Sequence, residues 1–246
     1  MNRSATRWRT ITILVGVVVL LMVPFTASAK NPNPGVLPPN ASPNGSTYGE
    51  WSARWWQWAL GQPADVNPLL DLTGEHCAEG QSGSVWFLAG TLGGYAERNC
   101  TVPTGKMLFF PILNCPYIGF PTDTNDTCVD STCSNNAERA NQCLQGLLDN
   151  SSLTAQVDGK SILELLSYRS QSPVFYPRLP VDNIAGITAV QCPATPHGDL
   201  LCGPPSGTVD AGIYLMLTPL SRGKHVIHFS ASPFLDVTYG ITVKGK

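Results

Sequence analysis

"GTVDAGIYLMLTPLSRGKHVIHFSASPFLDVTYGITV", residues 207–243, settles the class of fold. Three runs rich in β-branched and aromatic residues, "GTVDAGIYLMLTPL" (207–220), "GKHVIHFSA" (223–231) and "LDVTYGITV" (235–243), are separated by short turns, the pattern of consecutive strands. Upstream, "SLTAQVDGKSI" (152–162) alternates about Asp158-Gly159, a strong hairpin signal because both turn positions tolerate positive φ. "SPVFYPRLP" (172–180) reads as an extended segment punctuated by prolines and is followed by "IAGITAV" (184–190). "SVWFLAGTL" (84–92) reads as a buried strand, and "CTVPTGKMLFFPILN" (100–114) as strand, tight turn and strand. Both are continuous apolar runs and are expected in the interior of a sheet. Counted together these give about nine strands, enough for two packed sheets.

Two stretches carry helical periodicity instead. "GEWSARWWQWAL" (49–60) follows Thr47, and Thr47-x-x-Glu50 fits a capping box, while Gly61 and Pro63 supply a stop. Tyr48, Trp51, Trp55 and Trp58 form an i, i+3, i+4 stripe, Trp56 broadens the arc, and Glu50 and Arg54 are i, i+4 partners. "SNNAERANQCLQGLLDN" (134–150), capped by Ser134, places Ala140, Cys143, Leu144, Leu147 and Leu148 on one face. The expected architecture is therefore mainly β, a β-sandwich or jelly-roll with two accessory helices at about 47–60 and 135–149. Cys115 to Cys133 is loop by composition.

The N-terminus reads as an export signal over residues 1–29. Arg3, Arg7 and Arg9 precede an apolar run from Ile11 to Val23, and Ala27-Ser28-Ala29 forms the exit. That run is shorter than the roughly 20 residues a span requires, so no membrane span is expected after signal removal. Residues 30–46 hold little that could be buried and are expected to be a disordered leader, which leaves 47–246 as a single β-rich domain. The expected location is secreted, periplasmic or extracellular. All eight cysteines, Cys77, Cys100, Cys115, Cys128, Cys133, Cys143, Cys192 and Cys202, follow the signal, and an even number in an exported chain reads as disulfides. Locality favours Cys77 with Cys100 and Cys192 with Cys202, the remaining four stapling the segment from 115 to 143.

The formal charge of −2, with 13% charged residues, supplies no basic field for a nucleic acid. No G-x-S-x-G elbow and no complete phosphate loop occurs. His225 and His228 lie three apart in a strand, so they point to opposite faces and do not chelate one ion; His76 and His197 lie in separate loops. No metal or cofactor is expected. The acidic candidates for polysaccharide hydrolysis, which needs two facing carboxylates, are Glu50 and Glu75, with Asp71, Glu79, Asp182 and Asp210 also present; exposure is the rule for such groups. Trp51, Trp55, Trp56 and Trp58 are either a stacking platform for sugar rings or a packed helix face, and helical spacing favours packing.

The phrases "YGEWSARWWQWAL" (48–60), "GQSGSVWFLAG" (80–90), "CTVPTGKMLFFPILN" (100–114) and "PLSRGKHVIHF" (219–229) together resemble a group of uncharacterised exported bacterial proteins. The last phrase is also similar to the closing hairpin of immunoglobulin-like and jelly-roll extracellular domains. The resemblance implies an exported β-rich protein and carries over no catalytic residue. The functional expectation is a disulfide-stabilised binding or surface-associated protein whose partner is an extracellular glycan or cell-surface component. The alternatives are an extracellular hydrolase acting on a polysaccharide and a structural envelope protein without a small ligand.

Overall fold

The computed structural model describes residues 33, 35–119, 134–201 and 207–245. The expected signal, the loop segment 120–133, and Cys128, Cys133 and Cys202 lie outside the described residues. In chain order the elements are α1 (Tyr48–Leu60), β1 (Val85–Phe87), β2 (Gly94–Pro103), β3 (Met107–Ile118), α2 (Ser134–Leu148) and β4 (Ser152–Val157). There follow β5 (Lys160–Ser161), β6 (Arg169–Gln171), β7 (Arg178–Leu179), β8 (Leu200–Leu201), β9 (Thr208–Leu217), β10 (Gly223–Ser232) and β11 (Leu235–Lys244). The chain is mainly β with two α-helices, and its two larger sheets pack in sandwich-like layers without closing a barrel. One sheet runs β1-β3-β9-β6, the other β2-β11-β10-β4-β5, and β7 and β8 form a separate pair.

The three C-terminal runs are β9, β10 and β11, and the β4–β5 hairpin turns at Asp158 and Gly159, with φ of 51° and 73°. Phe110 of β3 stacks on Phe229 of β10 at 5.0 Å between centroids, which marks the layer between the two sheets. Three expectations need correction. β1 is only three residues long and sits at a sheet edge, because the chain leaves the ladder after Phe87. β3 continues through Cys115 to Ile118, so part of the expected loop is strand. "IAGITAV" forms turns and no strand, its turn held by the Asn183 side chain, which bonds the backbone of Ile187 and Pro180.

Alternation along β9 places Asp210, Gly212, Tyr214 and Met216 on the face toward α1, while Val209 and Ala211 meet Leu144 of α2 and Ala231 of β10 on the other. On β3 the alternation is interrupted. Pro111 pairs with Tyr214 and Leu113 with Ile213, so Ile112 is an inserted residue and the register shifts by one. Without that bulge Leu113 would face α1; with it, Asn114 shares the α1 face with Gly212 and Tyr214. Ser134 is the first residue of α2.

The leader expectation is also corrected. Residues 35–46 lie against the sandwich: Val36 bridges to Leu217, the Leu37 amide donates to the Met216 carbonyl at 2.8 Å, and the Tyr48 hydroxyl donates to the Leu37 carbonyl at 2.7 Å. Composition hides this because backbone bonds do much of the anchoring and Val36 is, among the described residues, the one leader side chain buried in the core cluster. Disulfides join Cys77 to Cys100, as locality suggested, and Cys115 of β3 to Cys143 of α2; Cys192 is buried and disulfide-bonded. Among the described residues no helix is long and apolar enough to cross a membrane.

The approach of α1 to β6 depends on Gly49. A Cβ there would stand 2.1 Å from the Gln171 carbonyl oxygen. Gly to Ala in a helix interior ordinarily stabilises by roughly 1 kcal/mol. Here Gly49→Ala should instead lower the urea midpoint, because backbone would have to move; an unchanged or raised midpoint would show that the contact is soft.

Candidate functional site

Each indole of α1 donates its N–H to a different part of the chain. Trp51 Nε1 reaches the Pro43 carbonyl (3.1 Å), Trp55 the Leu88 carbonyl (2.9 Å), Trp56 the Asp210 carboxylate (2.8 Å) and Trp58 the Glu79 carbonyl (2.8 Å). All four side chains are buried, from 0% exposed at Trp55 to 7% at Trp51 and Trp58. Thr47 and Glu50 form the expected capping box. Arg54 stacks over the Trp51 ring at 4.5 Å and makes no ion pair with Glu50 among the described residues. The tryptophans are thus a packed face with satisfied donors, and no flat stacking platform is presented to solvent.

Of the six carboxylates named from the sequence, Asp210 departs from the exposed rule. It has no solvent exposure. Its Oδ1 accepts from Trp56 Nε1 and its Oδ2 from the Tyr214 hydroxyl at 2.8 Å; Ser52 stands beside it, and its backbone is bracketed by Ser172. Tyr214 Oη in turn accepts from Asn114 Nδ2 at 2.8 Å. Burial pushes the carboxyl up to about 7, against the pull of Tyr214, Trp56 and Ser52, which favour the ionised form. Burial, and then the neighbouring carboxylate, also raise the Tyr214 phenol. Gly212 makes the arrangement possible, since a Cβ there would lie 2.5 Å from the Tyr214 ring and 2.7 Å from Asn114 Cβ.

Asn114 connects this buried chain to a cavity of about 390 Å³. The cavity lies along β3 beyond the point where β1 ends, walled by Trp55 and Trp56, Pro111 to Asn114, the Gly90–Gly93 loop, Leu147 and Phe234. Its walls are largely apolar, and Asn114 and Thr91 are the polar side chains among its lining residues. The Oδ1 of Asn114 has no protein partner among the described residues. Sequence reasoning named Asp210 but missed Asn114 and Tyr214. Their alignment depends on the bulge at Ile112, which no spacing rule reveals.

The other candidates are not brought together. Glu50 is exposed and its carboxylate accepts from the Thr47 amide at 2.7 Å; Glu75 and Glu79 are exposed. Burial alone would raise the Asp71 carboxyl, but hydrogen bonds from His76, Thr73 and Gly74 outweigh it and hold it below 3.8, so Asp71 organises its own turn. Asp182 is exposed, and none of these groups lines the cavity along β3.

His225 and His228 take different carboxylates, Asp158 at 2.8 Å and Asp236 at 2.9 Å. The first pair lies beside Ser221, whose Oγ is 3.3 Å from His225 Nε2, an outline of a serine, histidine and aspartate triad. The Ser221 carbonyl oxygen, however, is closer to Nε2 at 2.9 Å and can only accept. Nε2 therefore carries a proton, as does Nδ1 facing the carboxylate, and the imidazolium clasps two loops together. In that protonated form it has no lone pair with which to activate Ser221.

Two pH dependences follow. For Asp210 the folded value of about 7 lies above the ordinary 3.8, so its stabilisation is complete below 3.8 and lost as pH rises to about 7. Asp210→Asn keeps acceptor and donor for Trp56 and Tyr214 without charge; it should be the more stable protein above neutrality by a few kcal/mol, with the difference in Tm closing toward about pH 4. A difference independent of pH would contradict the burial argument. For the clasp, His225 is raised above 6.5 by its bond to Asp158, and Asp158 is held below 3.8 by His225 and the Val226 amide against the opposing effect of burial. The pair therefore stabilises most between 3.8 and 6.5. It weakens as acid protonates Asp158 and as base deprotonates His225. His225→Ala should cost Tm in that window and little at about pH 9; equal losses at both would assign the effect to packing.

No protein-family model, curated protein or solved structure matches this chain, so the geometry of the cavity and of its polar wall is what bears on function.

Proposed function

We propose that the protein is an exported, disulfide-bonded binding protein that takes up a small, mainly apolar molecule bearing one hydrogen-bonding group, held in the cavity along β3. The observation that carries this reading is the pairing of a cavity of about 390 Å³ with one half-buried amide, Asn114, whose orientation is fixed from behind by Tyr214 and Asp210. Pockets of this size, apolar with a few placed polar groups, suit small-molecule recognition. The disulfides fit an oxidising compartment. Hydrolysis is disfavoured because both Asp210 oxygens are occupied by protein donors and shielded from any substrate.

A glycan is the second reading, and a different place favours it. A groove of about 550 Å³ beside α1 is lined by Asn44, Arg54, Gln57, Gln62, Ser82 and Ser84 over the edges of Trp51 and Trp58. Amide, guanidinium and hydroxyl groups over aromatic edges match the alternation of hydroxyls and C–H faces on a sugar.

The two readings separate by calorimetry with a panel of small substituted benzenes such as p-cresol, and with cellohexaose and chitohexaose. Gly90→Leu should abolish binding of p-cresol while leaving the Tm unchanged, since a Cβ at Gly90 meets only Pro111 at 3.9 Å and the remaining atoms enter the cavity. Failure of every small aromatic to bind would reject the cavity reading. Oligosaccharide binding lost in Arg54→Ala and Gln57→Ala, and kept in Gly90→Leu, would establish the groove instead.

A further inference from the structure

An ionised carboxylate can only accept hydrogen bonds, and this fixes the direction of every bond between Asp210 and the cavity. The Tyr214 O–H must point to Asp210 Oδ2, Tyr214 Oη is then left to accept, and Asn114 turns Nδ2 toward it. What reaches the cavity is Asn114 Oδ1, an acceptor.

Add one proton to Asp210 and the directions reverse. Oδ1 already faces the Trp56 N–H, so the proton belongs on Oδ2, where it is donated to Tyr214 Oη. The phenol hydrogen must leave that line, and the group within reach is Asn114. An amide presents oxygen and nitrogen at nearly the same positions, so a half-turn offers Oδ1 to Tyr214 and Nδ2 to the cavity at no change in shape.

We propose that Asp210, Tyr214 and Asn114 form a hydrogen-bond relay through which a carboxyl that never touches ligand selects the ligand class. The ionised state favours molecules that donate a hydrogen bond, such as N–H heteroaromatics and alcohols, and the protonated state favours molecules that only accept, such as aryl ketones. This deepens the cavity reading and rests on it. Asp210 and Tyr214 are positioning residues; Asn114 makes the contact. The groups facing the carboxyl are Ser52 and Trp56 from α1 and Tyr214 from β9, with Ser172 on its backbone, and none of these is charged. Burial sets the midpoint near 7, within reach of ordinary changes in extracellular pH.

The experiment uses indole, which donates and does not accept, and acetophenone, which accepts and does not donate, each titrated calorimetrically at about pH 5.5 and about pH 8.5, on either side of the expected midpoint. The ratio of indole to acetophenone affinity should rise on the order of tenfold between the two, the amount expected for exchanging a made for an unmade hydrogen bond. Asp210→Asn supplies a fixed donor to Tyr214 and should hold the low-pH ratio at both values. Tyr214→Phe keeps the ring stacked on Phe109 and should give a ratio independent of pH. A wild-type ratio that does not change with pH, or an Asp210→Asn protein with the high-pH ratio, overturns the relay while leaving the cavity reading intact. If neither probe binds, the cavity reading falls, and the relay is judged without ligand by following the Trp56 indole and Asn114 side-chain amide resonances. Both titrating with one midpoint supports it. Trp56 titrating alone, as when the proton is shared with Ser52, overturns it.

Discussion

The hydrogen bond from Trp56 Nε1 to Asp210 Oδ1, 2.8 Å long and closed to solvent, joins α1 to the central strand β9, and much of the surrounding arrangement depends on it. A carboxyl taken out of water without partners carries a penalty of several kcal/mol, so the helix must sit where Trp56 and Ser52 reach it. With α1 so placed, Trp55 falls over Tyr214 and Trp51 over Phe109, and the ring of Tyr214 stacks on Phe109 at 5.1 Å and 4°. The remaining indole N–H groups fix the segments at Pro43, Leu88 and Glu79 around the helix. One helix thus organises the leader, the loop before β1 and the chain that leaves it. This explains why so many large side chains are concentrated in so few residues.

A second constraint comes from the strand opposite. β9 is buried along its whole length, so its carboxylate, Asp210, has to be answered from β3 through Tyr214 as well as from α1. The bulge at Ile112 does this by turning Asn114 instead of Leu113 to the Tyr214 side, and Gly212 clears the space where they meet. β1 ends at Phe87 and the chain lifts away, so among the described residues no strand pairs with β3 from Pro111 to Pro116 on the side away from β9. Prolines at 111 and 116 lack the N–H a further strand would require. The cavity is the volume this leaves, and the Gly90–Gly93 loop and Phe234 enclose it. At the far side Arg98, buried on β2, donates to the carbonyls of Asp71 and Ala89 and to Tyr239, and ties the same loop region to the five-stranded sheet.

How much of this was legible in the sequence varies with the range of the interaction. Local signals were readable: the Thr47 and Glu50 cap, the helical stripe, the Asp158-Gly159 turn and the three C-terminal strands all have short-range causes. The failures were of longer reach. "SVWFLAGTL" is apolar because its residues meet α1 and the layer between the sheets, which a continuous run does not distinguish from a central strand. The leader's anchoring rests on main-chain bonds to Met216 and Thr218 and on Val36, the single buried apolar side chain among its described residues, too little for composition to register. The candidate site is the extreme case. Asp210 was visible as a carboxylate in a strand-like run, but its burial, its link to Trp56 154 residues away and the shift that aligns Asn114 have no signature in spacing.

Asp210 is also where the fold forgoes stability. An asparagine of the same shape would accept from Trp56 and donate to Tyr214 while avoiding the desolvation of a charge, and a wholly apolar substitution with repacking is often no less stable than a buried ionic group. A carboxyl gives neither helix placement nor strand pairing that an amide would not. What it adds is a proton that can leave near neutrality, together with a reversal of hydrogen-bond direction that travels through Tyr214 to the single amide on the cavity wall. On the proposed relay, what separates aspartate from asparagine at this position is the direction of the hydrogen bond that Asn114 offers to the cavity.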